Sequence, residues 1–353
     1  MKDLIVNLES TLPCEGYRES KILIVGDLML DRYISGAVTR ISPEAPVPVL
    51  AVENERSVAG GAANVAMNVA GLRARTMLAG VVGADPAGGR LRTILEQSGI
   101  DCRAVLTDPK RATTCKTRVM AGNHQIVRLD EEAIEEIDSD LAEQLMMHFR
   151  WLLAEGVTAV VVSDYGKGVL TAELIRKLIS ECAMRGLPVF VDPKRIDYTP
   201  YAGATCLTPN QKELNAALSA VGLSTGELAT SAQRLRATLG CATLLVTQGA
   251  QGMTLVTAQQ THHFAALAQE VFDVSGAGDT VIGVLAAAAG SGVNLLHAVQ
   301  LANLAASIVV RRAGTAPIAL ESLYELLQSC AHPPSGVLKP ELQPTLSGNS
   351  DRI

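Results

Sequence analysis

From residue 138 onward, short apolar runs alternate with stretches of helical pattern. The runs are rich in valine and leucine, as strands buried on both faces of a sheet are. Their alternation with helices predicts a mostly parallel central sheet covered by helices on both faces, which is a three-layer α/β/α fold. The apolar runs are VTAVVVSD (157–164), LPVFVDP (187–193), ATCLTPN (204–210) and ATLLVTQG (242–249).

Residues 101–130 break this alternation. They contain the short extended pieces CRAVLT, TTCKTRVM and HQIVRLD, which are separated by polar breaks. Pieces of this kind predict a small antiparallel sheet rather than further β-α units. Together with residues 31–56 they predict a separate β-lid inserted into the main fold.

The 353 residues divide into three expected regions. We expect a peripheral lead-in over residues 1–20 and a main domain over residues 21–330. Its lid segments are expected near 31–56 and 101–130. Residues 331–353 are rich in proline, serine and glycine, and this composition predicts a flexible tail.

Charge, cysteine usage and the lengths of the apolar runs favour a cytoplasmic protein. The formal net charge of -6 argues against a general nucleic-acid or anionic-membrane binder. The seven cysteines include no C-x-x-C pair, which favours free thiols in a reducing compartment. No apolar stretch reaches the length of a membrane span, and the first 17 residues lack the pattern of a signal peptide. The six histidines lack metal-ligand spacing, so we expect no zinc site.

The stretch DVSGAGDT (273–280) places two glycines and Asp279 where a loop opens an apolar, alanine-rich helix. Glycines let backbone N–H groups approach a ligand closely, and N–H groups at a helix start attract anions. A carboxylate in a first helical turn can simply favour the helix dipole, which alone would explain Asp279. It does not explain the glycines or the neighbouring Ser275 and Thr280. Phosphoryl transfer explains them all, with the N–H groups stabilising the transferred group and Asp279 accepting the proton of the attacking hydroxyl.

Two further strand ends carry polar or small residues. Asn210 and Glu213 in TPNQKE (208–213) have the spacing of a helix capping box. The same oxygens could also hold waters of a bound Mg²⁺, and the two interpretations are compatible. VTQGAQG (246–252) closes another strand, at the kind of position where α/β sheets bind ligands.

The first half of the chain contains a candidate sugar site. Asp31 follows the first strand, and GGAAN places Gly60, Gly61 and Asn64 at a strand–helix junction. The glycines permit close approach, and the Asp and Asn side chains can bind hydroxyl groups of a polyol. Four of the cations in the predicted lid are candidates for binding a substrate phosphate. Each alone is an ordinary surface charge, but together they suit a substrate that already carries a phosphate: Arg40, Lys116, Arg118 and Arg128.

Other phosphate-binding motifs are absent from the sequence. No G-x-x-x-x-G-K-[ST] loop occurs, and YGKGV (165–169) lacks both its glycine spacing and its Ser or Thr. Protein-kinase signatures are missing as well. No G-x-G-x-x-G follows the first strand, which disfavours a nicotinamide oxidoreductase.

The motifs DVSGAGD, GGAAN, NxxE at Asn210–Glu213 and TQGAQG together resemble the ribokinase-like sugar kinase family over roughly residues 20–328. More specifically, VGDLMLDRYISGAVTRISPEAPVPVL (25–50) is similar to the heptose 7-phosphate kinases of that family, including the kinase half of bifunctional kinase/adenylyltransferases. The resemblance implies a ribokinase-like fold with a β-lid. It implies ATP-dependent phosphorylation of the anomeric C1 hydroxyl of D-glycero-β-D-manno-heptose 7-phosphate, an early step towards ADP-heptose and the lipopolysaccharide inner core. We expect a single-function kinase, since the tail is too short for the adenylyltransferase half.

The resemblance also implies roles for individual residues. Asp279 is the expected catalytic base, and the expected anion hole comprises Gly276, Ala277 and Gly278. The expected ATP-binding residues are Asn210, Gln211, Lys212, Glu213, Thr247, Gly249, Gly252, Ser275 and Asn303. The expected sugar-binding residues are Asp31, Gly60, Gly61 and Asn64, with Arg40, Lys116 and Arg128 inferred for the sugar phosphate. Asn210 and Glu213 are expected to hold Mg²⁺ through water, and Asp273 is a candidate for a K⁺ site.

The family resemblance also implies a homodimer joined through the lids. Two other functions remain open from the sequence. One is another kinase of the same family, acting on fructose phosphate, ribose or a nucleoside. The other is a catalytically silent sensor of sugars or nucleotides, which the intact Asp279 disfavours.

Overall fold

The computed structural model describes residues 12–13, 15–122, 124–268, 270–312 and 314–331. Most of the predicted lead-in (1–11 and 14) and the predicted tail from 332 onward lie outside the described residues. No helix in the described part of the chain is long and apolar enough to cross a membrane. The five cysteines that the structure describes at side-chain level are buried free thiols.

The described residues form thirteen strands and nine helices. The strands are β1 (Lys21–Gly26), β2 (Leu28–Ile41), β3 (Pro48–Gly61), β4 (Arg75–Gly83), β5 (Asp101–Asp108), β6 (Thr114–Ala121), β7 (His124–Glu131), β8 (Ala159–Ser163), β9 (Val189–Asp192), β10 (Cys206–Leu207), β11 (Thr243–Thr247), β12 (Met253–Val256) and β13 (Thr261–Phe264). The helices are α1 (Ala62–Gly71), α2 (Pro86–Gln97), α3 (Ser139–Leu153), α4 (Ala172–Met184), α5 (Gln211–Ala220), α6 (Leu228–Leu239), α7 (Ala277–Gly290), α8 (Leu295–Val309) and α9 (Leu320–Ala331).

Nine strands form the central sheet, in the order β13-β12-β11-β10-β9-β8-β1-β4-β5. All neighbouring pairs from β11 to β5 are parallel, and only β12 and β13 add antiparallel pairing at one edge. Because parallel strands all end at the same edge of a sheet, the segments that follow β1, β8, β9, β10 and β11 meet there. This edge carries the candidate site described below.

Alternate residues of the central strands pack against opposite helical layers. In β1, Ile22 and Ile24 belong to one buried cluster, which includes α1, α7, α8 and α9, while Leu23 and Val25 belong to the other. The second cluster includes side chains of α3, α4, α5 and α6. The period-2 geometry of a strand produces this division, and the predicted three-layer α/β/α fold is confirmed.

Polar caps set the starts of most helices in the two layers. Six of the cap side chains accept a hydrogen bond from the backbone N–H three residues later, which satisfies a donor that the helix itself leaves unpaired. These caps are Asp85 for α2, Asp138 for α3, Thr171 for α4, Asn210 for α5, Glu227 for α6 and Asn294 for α8.

A second, four-stranded sheet has the order β3-β2-β6-β7. Only Asp27 separates β1 from β2, and β3 runs directly into α1, so this lid sheet grows out of the central sheet at the site edge. The prediction for residues 101–108 was wrong. They form β5, which pairs with β4 in parallel at the edge of the central sheet and is not part of the lid.

Candidate active site

The carboxylate of Asp279 lies in the first turn of α7, and the residue is only 3% exposed. Its Oδ2 accepts a hydrogen bond from the Asn64 side-chain amide at 2.7 Å. Its Oδ1 accepts one from the Tyr165 hydroxyl at 2.5 Å. Three separate segments of the chain therefore converge on one buried carboxylate: α7, α1 and the loop after β8.

Burial raises the pKa of Asp279 to about 6, against the two hydrogen bonds, which favour the charged form. The charge of Asp31 also acts to raise this pKa, and the charge of Lys116 acts to lower it. A carboxylate with a pKa near 6 is mostly ionised at neutral pH yet more basic than an exposed aspartate. Such a group is suited to accept a proton from a hydroxyl group.

The glycine before α7 allows this packing. Gly276 has a φ of +77°, and a Cβ at this position would lie 2.8 Å from Nδ2 of Asn64. Ala277 donates its N–H to the Val274 carbonyl at 3.2 Å, and Gly278 is exposed at the start of the helix. The predicted anion hole thus lies beside the carboxylate, at the positive end of the α7 dipole.

Asn68 braces the same junction, although sequence reasoning did not identify it. Its Nδ2 donates to the backbone oxygen of Asn64 at 2.9 Å. Its Oδ1 accepts from the Thr280 hydroxyl at 2.9 Å and from the Ile318 N–H at 3.0 Å. One buried amide therefore ties α1 to α7 and to the segment before α9.

The predicted sugar residue Asp31 lies on β2 and is buried. Its Oδ1 accepts from Arg118 at 2.6 Å, and its Oδ2 accepts from the Thr315 hydroxyl at 3.3 Å. A Cβ on Gly60 would lie 2.5 Å from Oδ2 of Asp31, so the first of the two glycines makes room for this carboxylate. Gly61 adopts a φ of +56° where β3 turns into α1.

The four predicted lid cations occupy different positions. Lys116 is half-buried on β6, with its Nζ 5.9 Å from the centre of the Tyr165 ring, and it forms no ion pair with a described residue. Arg118 is paired with Asp31. Arg128 is exposed on β7 and bonded to Asp130 through two contacts of 2.8 and 2.9 Å. Of these four cations, Lys116 alone is close enough to Asp279 to lower its pKa while having no ion-pair partner among the described residues.

Arg40 lies far from the other predicted substrate residues. It is exposed near the distal end of β2 and pairs in register with Val49. At about 3.3 Å per residue, it is roughly 30 Å along the strand from Asp31. The structure does not bring Arg40 together with Asp279.

On the other side of Asp279, Asn210 and Glu213 form the predicted capping box at the start of α5. The Asn210 side chain accepts the Glu213 N–H, and the Glu213 carboxylate accepts the Asn210 N–H, both at 3.0 Å. Lys194 donates to Glu213 at 3.1 Å. Burial, together with the charges of Asp279 and Glu213, raises the pKa of Asp192 well above its usual range.

The remaining predicted nucleotide residues line the same edge. Thr247 ends β11 beside Asn210, and a turn with φ of +59° at Gly249 and +94° at Gly252 follows it. Asn303 is buried on α8 and donates to the Ala265 carbonyl at 2.9 Å. Two residues of the first turn of α5 are exposed, namely Gln211 and Lys212.

Asp273 braces the loop that leads into α7. Its Oδ1 accepts the Ser275 N–H at 2.8 Å, and its Oδ2 accepts the Gly314 N–H at 2.9 Å. Burial acts to raise the pKa of Asp273, but these hydrogen bonds and the charge of Arg118 hold it below its usual range. Asp273 is therefore a charged loop brace in this structure.

Residues 19–322 match the model of the pfkB family carbohydrate kinases. The chain belongs to this family. It is 44% identical over 308 residues to the bifunctional protein HldE of Methylobacillus flagellatus, an alignment that covers 87% of this chain and 63% of that protein. It is also 42% identical over 325 residues to the bifunctional protein HldE of Granulibacter bethesdensis, and this alignment covers 89% of this chain and 66% of that protein. This chain therefore spans just under two thirds of the length of these relatives.

Solved structures of a phosphofructokinase and a ribokinase share the fold. Phosphofructokinase-2 from Escherichia coli, in complex with substrates and products, superposes with a TM-score of 0.71 at 19% identity, covering 89% of this chain and all of that chain. Ribokinase from Arabidopsis thaliana, complexed with ribose and ATP, superposes with a TM-score of 0.66 at 20% identity. This superposition covers 88% of this chain and 99% of the ribokinase chain. The predicted ribokinase-like fold is confirmed.

We expect Asp279→Asn to stabilise the folded chain at neutral and higher pH. The raised pKa means that the folded protein binds this proton more tightly than the unfolded chain, so the stability of the wild type falls as pH rises from about 4 to 6. Asparagine does not titrate and keeps a similar shape. The free energy of unfolding of the variant should exceed that of the wild type by about 2–3 kcal/mol at pH 8, and by much less at pH 4.5.

Urea unfolding of both proteins at these two pH values measures the difference. The exposed Asp140→Asn on α3 is the control, and its effect on stability should be small at both pH values. Equal stability of Asp279→Asn and wild type at pH 8 would contradict the picture of a buried charge.

Proposed function

We propose that this chain transfers the γ-phosphoryl group of ATP to the C1 hydroxyl of D-glycero-β-D-manno-heptose 7-phosphate, giving the 1,7-bisphosphate for ADP-heptose and lipopolysaccharide inner-core synthesis. The observation that carries the chemistry is the buried Asp279 carboxylate at the start of α7, with the unpaired Lys116 nearby. Membership of a carbohydrate kinase family supports the reaction class. The similarity of residues 25–50 to heptose 7-phosphate kinases supports the substrate, and the HldE relatives cover most of the chain.

In this proposal Asp279 accepts the proton of the sugar hydroxyl as that oxygen attacks phosphorus. Asn64 holds one carboxylate oxygen and so orients the base. The N-terminal end of α7 stabilises negative charge on the transferred group, since backbone N–H groups and the helix dipole both favour anions there. Burial of Asp279 keeps water from competing for the same proton.

A divalent cation fits the residues on the nucleotide side. Asp192, Glu213 and Asp279 place several carboxylates in electrostatic contact, which favours a bound cation. Within the described residues no three His, Cys, Asp or Glu side chains could hold a metal ion by themselves. This suits Mg²⁺ that arrives with ATP and keeps most of its waters, with Asn210 and Glu213 as partners of those waters. When bound, the metal supplies neutralisation of the phosphate charge.

The direct test is ADP release from Mg²⁺–ATP with heptose 7-phosphate, compared with fructose 6-phosphate and ribose. We expect fast release with the heptose alone, because residues 25–50 and the lid cation suit that substrate. We also propose that turnover depends on K⁺, and we expect faster ADP release in KCl than in tetramethylammonium chloride. Release with another sugar would move the proposal to a different substrate of the same family, and release with none would favour a silent sensor.

A comparison of two lid cations tests the assignment of the sugar phosphate. We expect Lys116→Met to raise KM for the sugar phosphate at least tenfold while KM for ATP changes by less than about threefold, since a lost charged hydrogen bond is worth roughly 1.5–3 kcal/mol. The charge of Arg128 is already bonded to Asp130, so Arg128→Ala should have a smaller effect on the same constant. A larger effect of Arg128→Ala would reverse the assignment.

The lid also supports the proposed homodimer. It exposes apolar side chains that ordinarily mark an interface when they lie in one patch: Ile41, Val52, Ile126, Val127 and Leu129. A lid-to-lid pairing would cover them, and the two edge strands β3 and β7 offer unpaired backbone for it.

We expect Val52→Asp to shift the sedimentation-equilibrium mass from dimer towards monomer, because a charge would be buried in the interface. Met184→Asp, at an exposed methionine of α4, is the control and should leave the mass unchanged. A wild-type chain that sediments as a monomer at tens of micromolar would exclude the dimer.

A further inference from the structure

Tyr165 lies in the segment YGKGV, which no phosphate-binding motif explains. Its hydroxyl donates to Oδ1 of Asp279 at 2.5 Å, across 114 positions of sequence. The phenol pKa is raised well above its usual value by burial and by the Asp279 carboxylate, so the hydroxyl keeps its proton throughout the neutral range. Tyr165 is therefore a permanent donor to Asp279.

The backbone around Tyr165 is fixed by a second buried carboxylate. Asp27, the single residue between β1 and β2, accepts the N–H groups of Tyr165 at 2.8 Å, Lys167 at 3.1 Å and Val169 at 3.2 Å. Asp164 accepts the Gly166 N–H at 2.8 Å within the same loop. The ring of Tyr165 thus extends from a loop that is tied to the central sheet.

The two donors to Asp279 approach different oxygens. Asn64 reaches Oδ2 from α1, and Tyr165 reaches Oδ1 from the β8 loop. The terminal torsion of an aspartate is broad and roughly two-fold, so one donor leaves the carboxylate plane free to turn. Two donors on two elements fix both oxygens.

We propose that Tyr165 is a positioning residue for phosphoryl transfer, which holds the carboxylate plane of Asp279 towards the acceptor hydroxyl and favours its ionised form. This inference rests on the proposed function for its catalytic meaning. A base must lie within hydrogen-bond reach of its proton, and small misplacements of reacting groups reduce rates strongly.

Other charges also face this pair. Asp31 approaches from β2, Lys116 from β6 with its Nζ over the Tyr165 ring, and Asp192 from the end of β9. Asp31 disfavours the ionised form of Asp279, and Lys116 favours it. Neither is hydrogen-bonded to Asp279, so neither fixes the direction of its oxygens.

The test is Tyr165→Phe, which keeps the ring and removes only the donor. We expect kcat at pH 8 to fall by about 10- to 100-fold, with KM for ATP changed by less than about threefold. The acidic limb of the kcat profile should move upward by about one pH unit, because a hydrogen bond to the charged form is lost. The control is Tyr198→Phe, since the buried Tyr198 hydroxyl has no hydrogen-bond partner among the described residues.

A second measurement is independent of catalysis. Carboxyl-carbon NMR of aspartate-labelled protein, with the Asp279 signal assigned from Asp279→Asn, reports the titration of this group without any substrate. We expect the midpoint to rise in Tyr165→Phe and to stay unchanged in Tyr198→Phe. An unchanged midpoint in Tyr165→Phe overturns the inference, as does a kcat within twofold of wild type. If the wild type phosphorylates no sugar, the proposed function fails while the NMR titration still decides whether Tyr165 holds Asp279.

Discussion

The candidate site is built around the buried carboxylate of Asp279, which Asn64 and Tyr165 hold by hydrogen bonds. Burying an ionised carboxylate is strongly unfavourable unless hydrogen bonds compensate for the lost water. Those donors come from α1 and from the loop after β8. The buried carboxylate is therefore held at both oxygens only when the helices are packed and the strands of the sheet are in order. The site therefore requires the whole fold, because α7 supplies the carboxylate but neither of its two donors.

The order of the central sheet explains how these segments meet. With β1 between β8 and β4, the single residue Asp27 lies beside the β8 loop and accepts three of its N–H groups. The ends of β9, β10 and β11 then bring Asp192, Asn210 and Thr247 to the proposed nucleotide side of the site. The lid sheet leaves the same edge through β2 and β3, and Lys116 of β6 pairs in register with Asp31 of β2 at the proposed sugar side of the site.

Local patterns in the sequence carry much of this information. Apolar runs alternating with helices predict the parallel sheet, and DVSGAGD predicts a carboxylate at a helix start, because both signals are contiguous in the chain. The assignment of residues 101–108 to the lid was wrong because a short strand carries no local mark of its partner, which is β4. Tyr165 could not be found for the same reason, since its contact with Asp279 spans 114 positions. Counting lid cations likewise could not reveal that Arg128 is bonded to Asp130 or that Arg40 lies at the distal end of the hairpin.

In the proposed reaction, Asp279 acts as the base for a bound, correctly placed pair of substrates. The most direct measurement compares turnover and ATP binding in Asp279→Asn, using ADP release with heptose 7-phosphate for the rate and titration calorimetry for the affinity. We expect turnover to fall by at least about 100-fold, the usual contribution of a general base, while the Kd for Mg²⁺–ATP stays within about threefold of wild type. Turnover comparable to wild type would contradict the account.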